Sequence, residues 1–181
     1  MELRSVEELM DLLDACRGVP YHRGHGGGRG DLLGHALRTA ALLRRSRPSD
    51  KELQVAGLVH DIGYRLPADG TVRPGDRAAD AVRALLGRRV ARLVRLRDAA
   101  GRCLAATSGG PGAPAPGTPG GPMSPREAAA FVRDPLAEDA IALAQAADAA
   151  RAPGMDAGVL EDWRTVLSLV STAAHARGPV A

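Results

Sequence analysis

The sequence has few aromatic residues. Only one Trp, one Phe and two Tyr occur among 181 residues, although 45% of the residues are hydrophobic. Ala, Leu and Val must therefore form the core, which suits closely packed helices, and we find no alternating pattern typical of a strand. The chain is too short for two ordinary domains and long enough for one with a substantial core. These features predict an all-α protein with a single domain over residues 1–181.

Cysteines and long apolar runs are also scarce. Cys16 and Cys103 do not have the spacing of metal ligands. No apolar run approaches the ~18 residues that a membrane span requires, and the N-terminus has no signal-peptide pattern. We therefore expect a cytoplasmic protein that does not interact with a membrane.

Lysine is nearly absent, since every one of the 24 basic residues except Lys51 is an arginine. An arginine-rich segment could form a phosphate-attracting face or simply a solvated helix face. No aromatic residues are interleaved to stack on bases, so we expect no nucleic-acid partner. The arginines of this segment, among which Asp98 is the only acid, are Arg83, Arg88, Arg89, Arg92, Arg95, Arg97 and Arg102.

Capping signals divide the chain into helices. Ser5 with Glu8 and Ser49 with Glu52 are capping-box pairs, and Ser-Pro or Asp-Pro pairs at Ser124 and Asp134 favour two further helix starts. Gly87 is expected to separate two helices, and a Pro- and Gly-rich segment, residues 108–122, to form a flexible loop. A final helix is indicated by the apolar stripe of Leu160, Trp163, Leu167 and Val170.

His60 and Asp61 are adjacent at the end of an apolar helix pattern. Neighbours on a helix point about 100° apart, so both side chains can bind one metal ion only where the last turn distorts. Gly63 is expected to supply that freedom. His35 on an earlier helix and Asp148 in an Ala-rich helix offer two further ligands. Taken singly, His35 also fits a satisfied core histidine, and Asp148 a solvated helix residue.

The order His, His-Asp and a distant Asp, each on a helix, resembles the HD-domain metalloprotein superfamily, whose hydrolases and oxygenases bind divalent metals with these four side chains. The resemblance implies a helical bundle, with its core at about residues 20–177, and a metal site of His35, His60, Asp61 and Asp148. Such a mixed shell of nitrogen and oxygen suits Fe or Mn, with Zn, Co and Ni as alternatives.

The segments around Arg97 and Ser124 resemble the branch of this superfamily that contains the phosphonate-cleaving diiron oxygenases. In that branch two further histidines hold a second iron, and their positions correspond here to Asp76 and Arg97. Arginine cannot bind a metal because its guanidinium stays protonated. Other residues of that branch's substrate site, or of the hydrolase pattern, are replaced by His25, Gly28, Gly101, Gln145 and Tyr64.

Three functional hypotheses follow. The first is a mononuclear metal-dependent hydrolase acting on a phosphate ester or another small anion, with Asp61, His60 and Arg97 as catalytic candidates. The second is an oxygenase that cleaves a phosphonate at a second metal site rebuilt from Asp76 and His25. The third is a non-catalytic binding or regulatory protein. Residues 21–30, which include His22 and His25, are expected to form a loop at the lip of the active site.

Overall fold

The computed structural model describes residues 2–20, 30–67, 70–108, 121, 123–152 and 154–177. Within these ranges the chain is helical, without a β-strand, and it forms one all-α bundle, as predicted. None of the helices in these ranges has both the length and the apolar character of a membrane span. The α-helices are α1 (Val6–Asp14), α2 (Leu32–Ser46), α3 (Lys51–Val59), α4 (Pro74–Ser108), α5 (Pro125–Val132), α6 (Ala137–Ala149) and α7 (Arg164–Ala176).

Two of the four predicted helix starts agree with the capping signals, and two differ. Ser5 caps α1, and Ser124 with Glu127 forms a complete capping box at α5. At α3 the cap is Asp50 rather than Ser49, with Oδ1 accepting from the Leu53 amide at 2.9 Å. Helix α6 begins at Ala137, after the Asp134 carboxylate has accepted a hydrogen bond from the Leu136 amide.

Helix α4 turns at Gly87, as the sequence predicted. Gly87 has φ 86° and ψ 173°, a conformation open essentially only to glycine, and it separates residues 74–86 from residues 88–108. The two segments run side by side, because Arg95 of the second contacts Asp76 and Asp80 of the first. The predicted flexible loop falls mostly on residues 109–120 and 122, which lie outside the described residues.

A continuous apolar core lies between α1, α2, α3, α4, α6 and α7. Small residues allow close approach: a Cβ on Gly57 of α3 would lie 2.6 Å from Leu43 Cδ1 of α2. The predicted stripe of the last helix is buried in this core through Leu160, Trp163, Leu167 and Val170. A second, smaller cluster joins the end of α4 to α5 and α6 around Phe131. Helix α3 therefore ends at the centre of the bundle, and the His-Asp pair follows it there.

Candidate metal centre

His35, His60 and Asp61 form a buried group in the interior of the bundle. His35 lies on the buried face of α2, one turn after the cap formed by Asp31, and has no exposed surface. His60 and Asp61 follow α3 directly and are almost fully buried. One potential ligand atom of each residue lies within 4.8 Å of the other two. The structure thus brings together three of the four predicted ligands.

The chain distorts at the end of α3, and this makes the adjacent side chains converge. Asp61 has φ −109° and ψ 4°, outside the α-helical region, and a 3₁₀ helix, Ile62–Tyr64, follows it. His60 Nε2 consequently lies 3.1 Å from Asp61 Oδ2, and His35 Nε2 lies 3.8 Å from the same oxygen. The predicted distortion is therefore present where the His-Asp pair needs it.

Gly63 contributes space rather than backbone freedom. Its φ is not positive, so the sequence-based explanation of this glycine was wrong. A Cβ on Gly63 would instead lie 1.8 Å from the Pro74 carbonyl oxygen, at the start of α4. Arg77 of α4 also donates to the Gly63 carbonyl oxygen, at 3.0 Å from Nη2. The turn that carries Asp61 is thereby fixed against α4.

The hydrogen bond of His60 indicates which nitrogen is available. His60 Nδ1 lies 2.8 Å from the Gly57 carbonyl oxygen, which can only accept, so Nδ1 carries the proton. In the neutral ring Nε2 then has a lone pair, and it faces the Asp61 carboxylate at 3.1 Å. Two acceptors at that distance repel unless a cation or a proton lies between them. A backbone carbonyl that orients the second ring nitrogen is the usual support of a metal-binding histidine.

His35 is a neutral donor near pH 7. The pKa of His35 is lowered from 6.5 to about 3, first by burial and next by the neighbouring His60 ring, whose centroid lies 5.3 Å away. The charges of Arg97 and Arg38 act in the same direction, against the opposing effect of Asp61. A neutral imidazole is the form that binds metals. Metal–ligand bonds of about 2.0–2.2 Å place neighbouring ligand atoms roughly 3–3.5 Å apart. The 3.1 Å between His60 Nε2 and Asp61 Oδ2 matches this spacing, and the 3.8 Å between His35 Nε2 and the same oxygen is slightly longer, so the group could hold a divalent ion.

Asp148, the fourth ligand that the resemblance implies, does not join this group. Its side chain is 75% exposed and pairs with Arg151 at 3.5 Å. The phase of α6 explains the difference, since Ala146 and Ala147 face the core while Gln145, Asp148 and Ala149 face outward. In an Ala-rich helix the sequence contains little contrast between the two faces.

The other predicted site residues separate into two sets. Asp76 lies in the first turn of α4, where it pairs with Arg73 at 2.9 Å and Arg95 at 3.3 Å. Asp76 does not belong to the group of His35, His60 and Asp61, whose potential ligand atoms lie within 4.8 Å of one another. Arg97, in contrast, is buried on α4, so the alternative of a solvated face is wrong for this arginine. His22, His25 and Gly28, with most of the predicted lip 21–30, lie outside the described residues.

Sequence reasoning missed the supporting residues of the group. The Gly57 carbonyl oxygen that orients His60 lies one helical turn before it. This contact could be predicted from the sequence only if His60 were already known to end the helix. Arg38, one turn after His35, donates from Nε to the Ala150 carbonyl oxygen at 2.8 Å and connects α2 to the end of α6. No motif distinguishes Arg38 from the other arginines. Neither a protein-family model nor a curated protein matches this chain.

Proposed function

We propose that this protein binds one divalent transition metal through His35, His60 and Asp61 and acts as an HD-type mononuclear hydrolase on a small phosphate-type anion. The observation that carries the proposal is the pairing of His60 Nε2 with Asp61 Oδ2 at 3.1 Å, while Nδ1 of the same ring bonds to the Gly57 carbonyl oxygen. Two imidazoles and one carboxylate are the protein ligands of many catalytic metal sites, which leave further positions for water and substrate.

The roles of the residues follow from their chemistry. His35 and His60 donate nitrogen lone pairs, and Asp61 adds the negative charge that a divalent ion requires. Burial excludes bulk water and strengthens each of these interactions. A bound ion would supply the Lewis acidity that generates a nucleophile from water and neutralises charge on a phosphate oxygen. Fe and Mn suit this mixed donor set best, and Zn, Co and Ni are alternatives.

The described residues support a mononuclear site better than a diiron site. The second iron of the oxygenase hypothesis would need Asp76, which is held by Arg73 and Arg95 instead. Arg97 has no lone pair to offer to a metal. We therefore expect hydrolysis of phosphate esters without oxygen uptake, and no cleavage of phosphonates that depends on oxygen.

Metal analysis of freshly purified protein tests the proposal. We expect about one Fe or Mn per chain in the wild type and its loss in Asp61→Asn, which keeps the size of the side chain and removes the charge. Asp148→Asn is the matched control, because this exposed carboxylate should not affect metal content. A wild-type protein without metal, whose melting temperature is also unchanged by added Fe(II) or Mn(II), would disprove the metal site.

A panel of phosphate esters, assayed with and without oxygen, tests the reaction. Metal-loaded wild type should release phosphate equally under both conditions, and Asp61→Asn should not. Oxygen-dependent turnover of a phosphonate would instead show that the oxygenase hypothesis is correct.

A further inference from the structure

Arg97 differs from its neighbouring arginines because it is buried. Its side chain is 10% exposed, whereas those of Arg92 and Arg95 are 53% and 39% exposed. Removing a guanidinium from water is costly unless charged or hydrogen-bonding partners offset the loss of hydration. A buried arginine thus requires an explanation that a solvated one does not.

The packing of α4 places Arg97 at the level of the metal-binding group. Asp98 Oδ2 and the Val94 carbonyl oxygen lie 3.6 and 3.9 Å from the position of a Cβ on Gly75. Pro74, the residue before Gly75, contacts Gly63 in the turn after Asp61. Only Pro74 and Gly75, the first residues of α4, therefore lie between the second segment of α4 and the turn that carries Asp61.

Most of the hydrogen-bonding capacity of Arg97 remains available. Nη1 donates to Asp98 Oδ1 at 3.1 Å, and this is its one hydrogen bond to the described residues. A guanidinium has five N–H donors, so the fork formed by Nε and Nη2 is left for a further acceptor. Two parallel N–H groups match two oxygens of a phosphate or a carboxylate.

We infer that Arg97 binds the anionic oxygens of the substrate beside His35, His60 and Asp61, and that this substrate carries a phosphate group. Arg97 with its partner Asp98 is neutral overall, so a divalent ion with Asp61 leaves one net positive charge. A phosphate can offer one oxygen to the ion and two to the guanidinium fork, which favours it over a carboxylate with only two oxygens. The inference rests on the proposed function for the location of the substrate. It adds the residue that selects the substrate class.

Binding of inorganic phosphate, measured by calorimetry on the metal-loaded full chain, tests this role. Arg97→Gln should weaken phosphate binding at least tenfold, while the metal content per chain stays unchanged. Arg92→Gln is the matched control, because Arg92 lies on the same segment but pairs with Asp134 at the surface. Acetate, a monoanion, should bind more weakly than phosphate to the wild type.

Asp98→Asn tests the same role without removing Arg97. If Arg97 serves only to neutralise Asp98, this variant should leave phosphate affinity unchanged. If Arg97 binds substrate, phosphate should bind severalfold more tightly, because the competing carboxylate is lost. Arg97→Lys keeps the charge without the fork and should show intermediate affinity. These two variants also decide the question if Arg97→Gln does not fold.

Failure of this inference is distinguishable from failure of the proposed function. Unchanged phosphate affinity in Arg97→Gln and Asp98→Asn, with a normal metal content, would overturn the role of Arg97 alone. Repeating the phosphate titrations after removal of metal by a chelator tests whether the role of Arg97 holds when the proposed function fails. Phosphate binding that depends on Arg97 in a chain that never holds a metal would support Arg97 and overturn the hydrolase.

Discussion

The three residues that converge at the end of α3 were predictable because each has a local signal. His35 lies on an apolar face of α2, and His60 and Asp61 end an apolar helix, so their burial followed from helical periodicity. The prediction for Asp148 was wrong because of the alanine-rich composition that also makes its helix easy to recognise. Alanine occupies both faces of α6, so the direction of Asp148 depends on tertiary packing that the sequence does not encode locally.

Cys16 and Cys103 should differ in reactivity. Burial raises the pKa of the Cys16 thiol from 9.0 to about 11, with Arg65 opposing and Asp31 and Asp61 adding to the rise. At pH 8 only about one molecule in a thousand would then carry the reactive thiolate. Cys103 is partly exposed.

We therefore expect a disulfide reagent at pH 8 to modify Cys103 readily, and Cys16 only after denaturation. Mass spectrometry of Cys16→Ser and Cys103→Ser identifies which thiol reacts. Fast modification of Cys103→Ser in its folded state would contradict the expected burial of Cys16.

Gly87 determines the course of α4. We expect Gly87→Ala to lower the free energy of unfolding by about 1–3 kcal/mol, because alanine is strained at this backbone conformation. The new Cβ would also lie 3.1 Å from the Cβ of Ala174 on α7. Chemical denaturation followed by circular dichroism measures the change.

Gly101→Ala is the control within the same helix. Gly101 has helical geometry, and a Cβ there meets no atom within 4 Å, so alanine should stabilise the protein by about 0.4–1 kcal/mol. Equal effects of the two substitutions would show that the turn at Gly87 is not a strained conformation.

Arg89 connects the starts of two helices. It donates to Asp50, the cap of α3, at 2.7 Å and to Asp139, in the first turn of α6, at 2.8 Å, and it lies 3.4 Å from Glu52. Burial alone would raise the pKa of Asp50, but hydrogen bonds from Arg89 and from the Leu53 amide outweigh this effect and hold the pKa below 3.8. These contacts explain why the cap is Asp50 and not Ser49. The position of the cap thus depends on Arg89, which lies far from it in the sequence.

We expect Arg89→Gln to reduce the free energy of unfolding by about 1–2 kcal/mol at pH 7, discounted for the partial exposure of the pair. A carboxylate with a lowered pKa stabilises the fold above its unfolded pKa and loses that contribution as the pH falls through its folded pKa. The difference between wild type and variant should therefore shrink below about pH 4. Denaturation midpoints across pH 3–7 test this, with Arg151→Gln, whose partner Asp148 is exposed, as the control.

At the scale of the whole molecule, the buried group of His35, His60 and Asp61 joins α2, α3 and, through the Asp61 turn, α4. A ligand that binds only the folded chain raises its stability, by about 2.7 kcal/mol at one hundred times its dissociation constant. For a chain of this size that corresponds to a rise in melting temperature of roughly 5–10 °C. Thermal scans with Mn(II), and after chelation, should show this shift in the wild type and not in Asp61→Asn. A shift of equal size in both would mean that the metal binds elsewhere.

The scarcity of aromatic residues has an optical consequence. Trp163 is the sole tryptophan and has no exposed surface, and Arg44 of α2 lies 5.1 Å above its ring. Because the ring is buried, the excited indole is shielded from the solvent relaxation that shifts emission to longer wavelengths, and its Nε1 finds no acceptor among the described residues. The tryptophan emission of this protein therefore arises from a single position at the start of α7, and a red shift of that emission indicates that water reaches Trp163.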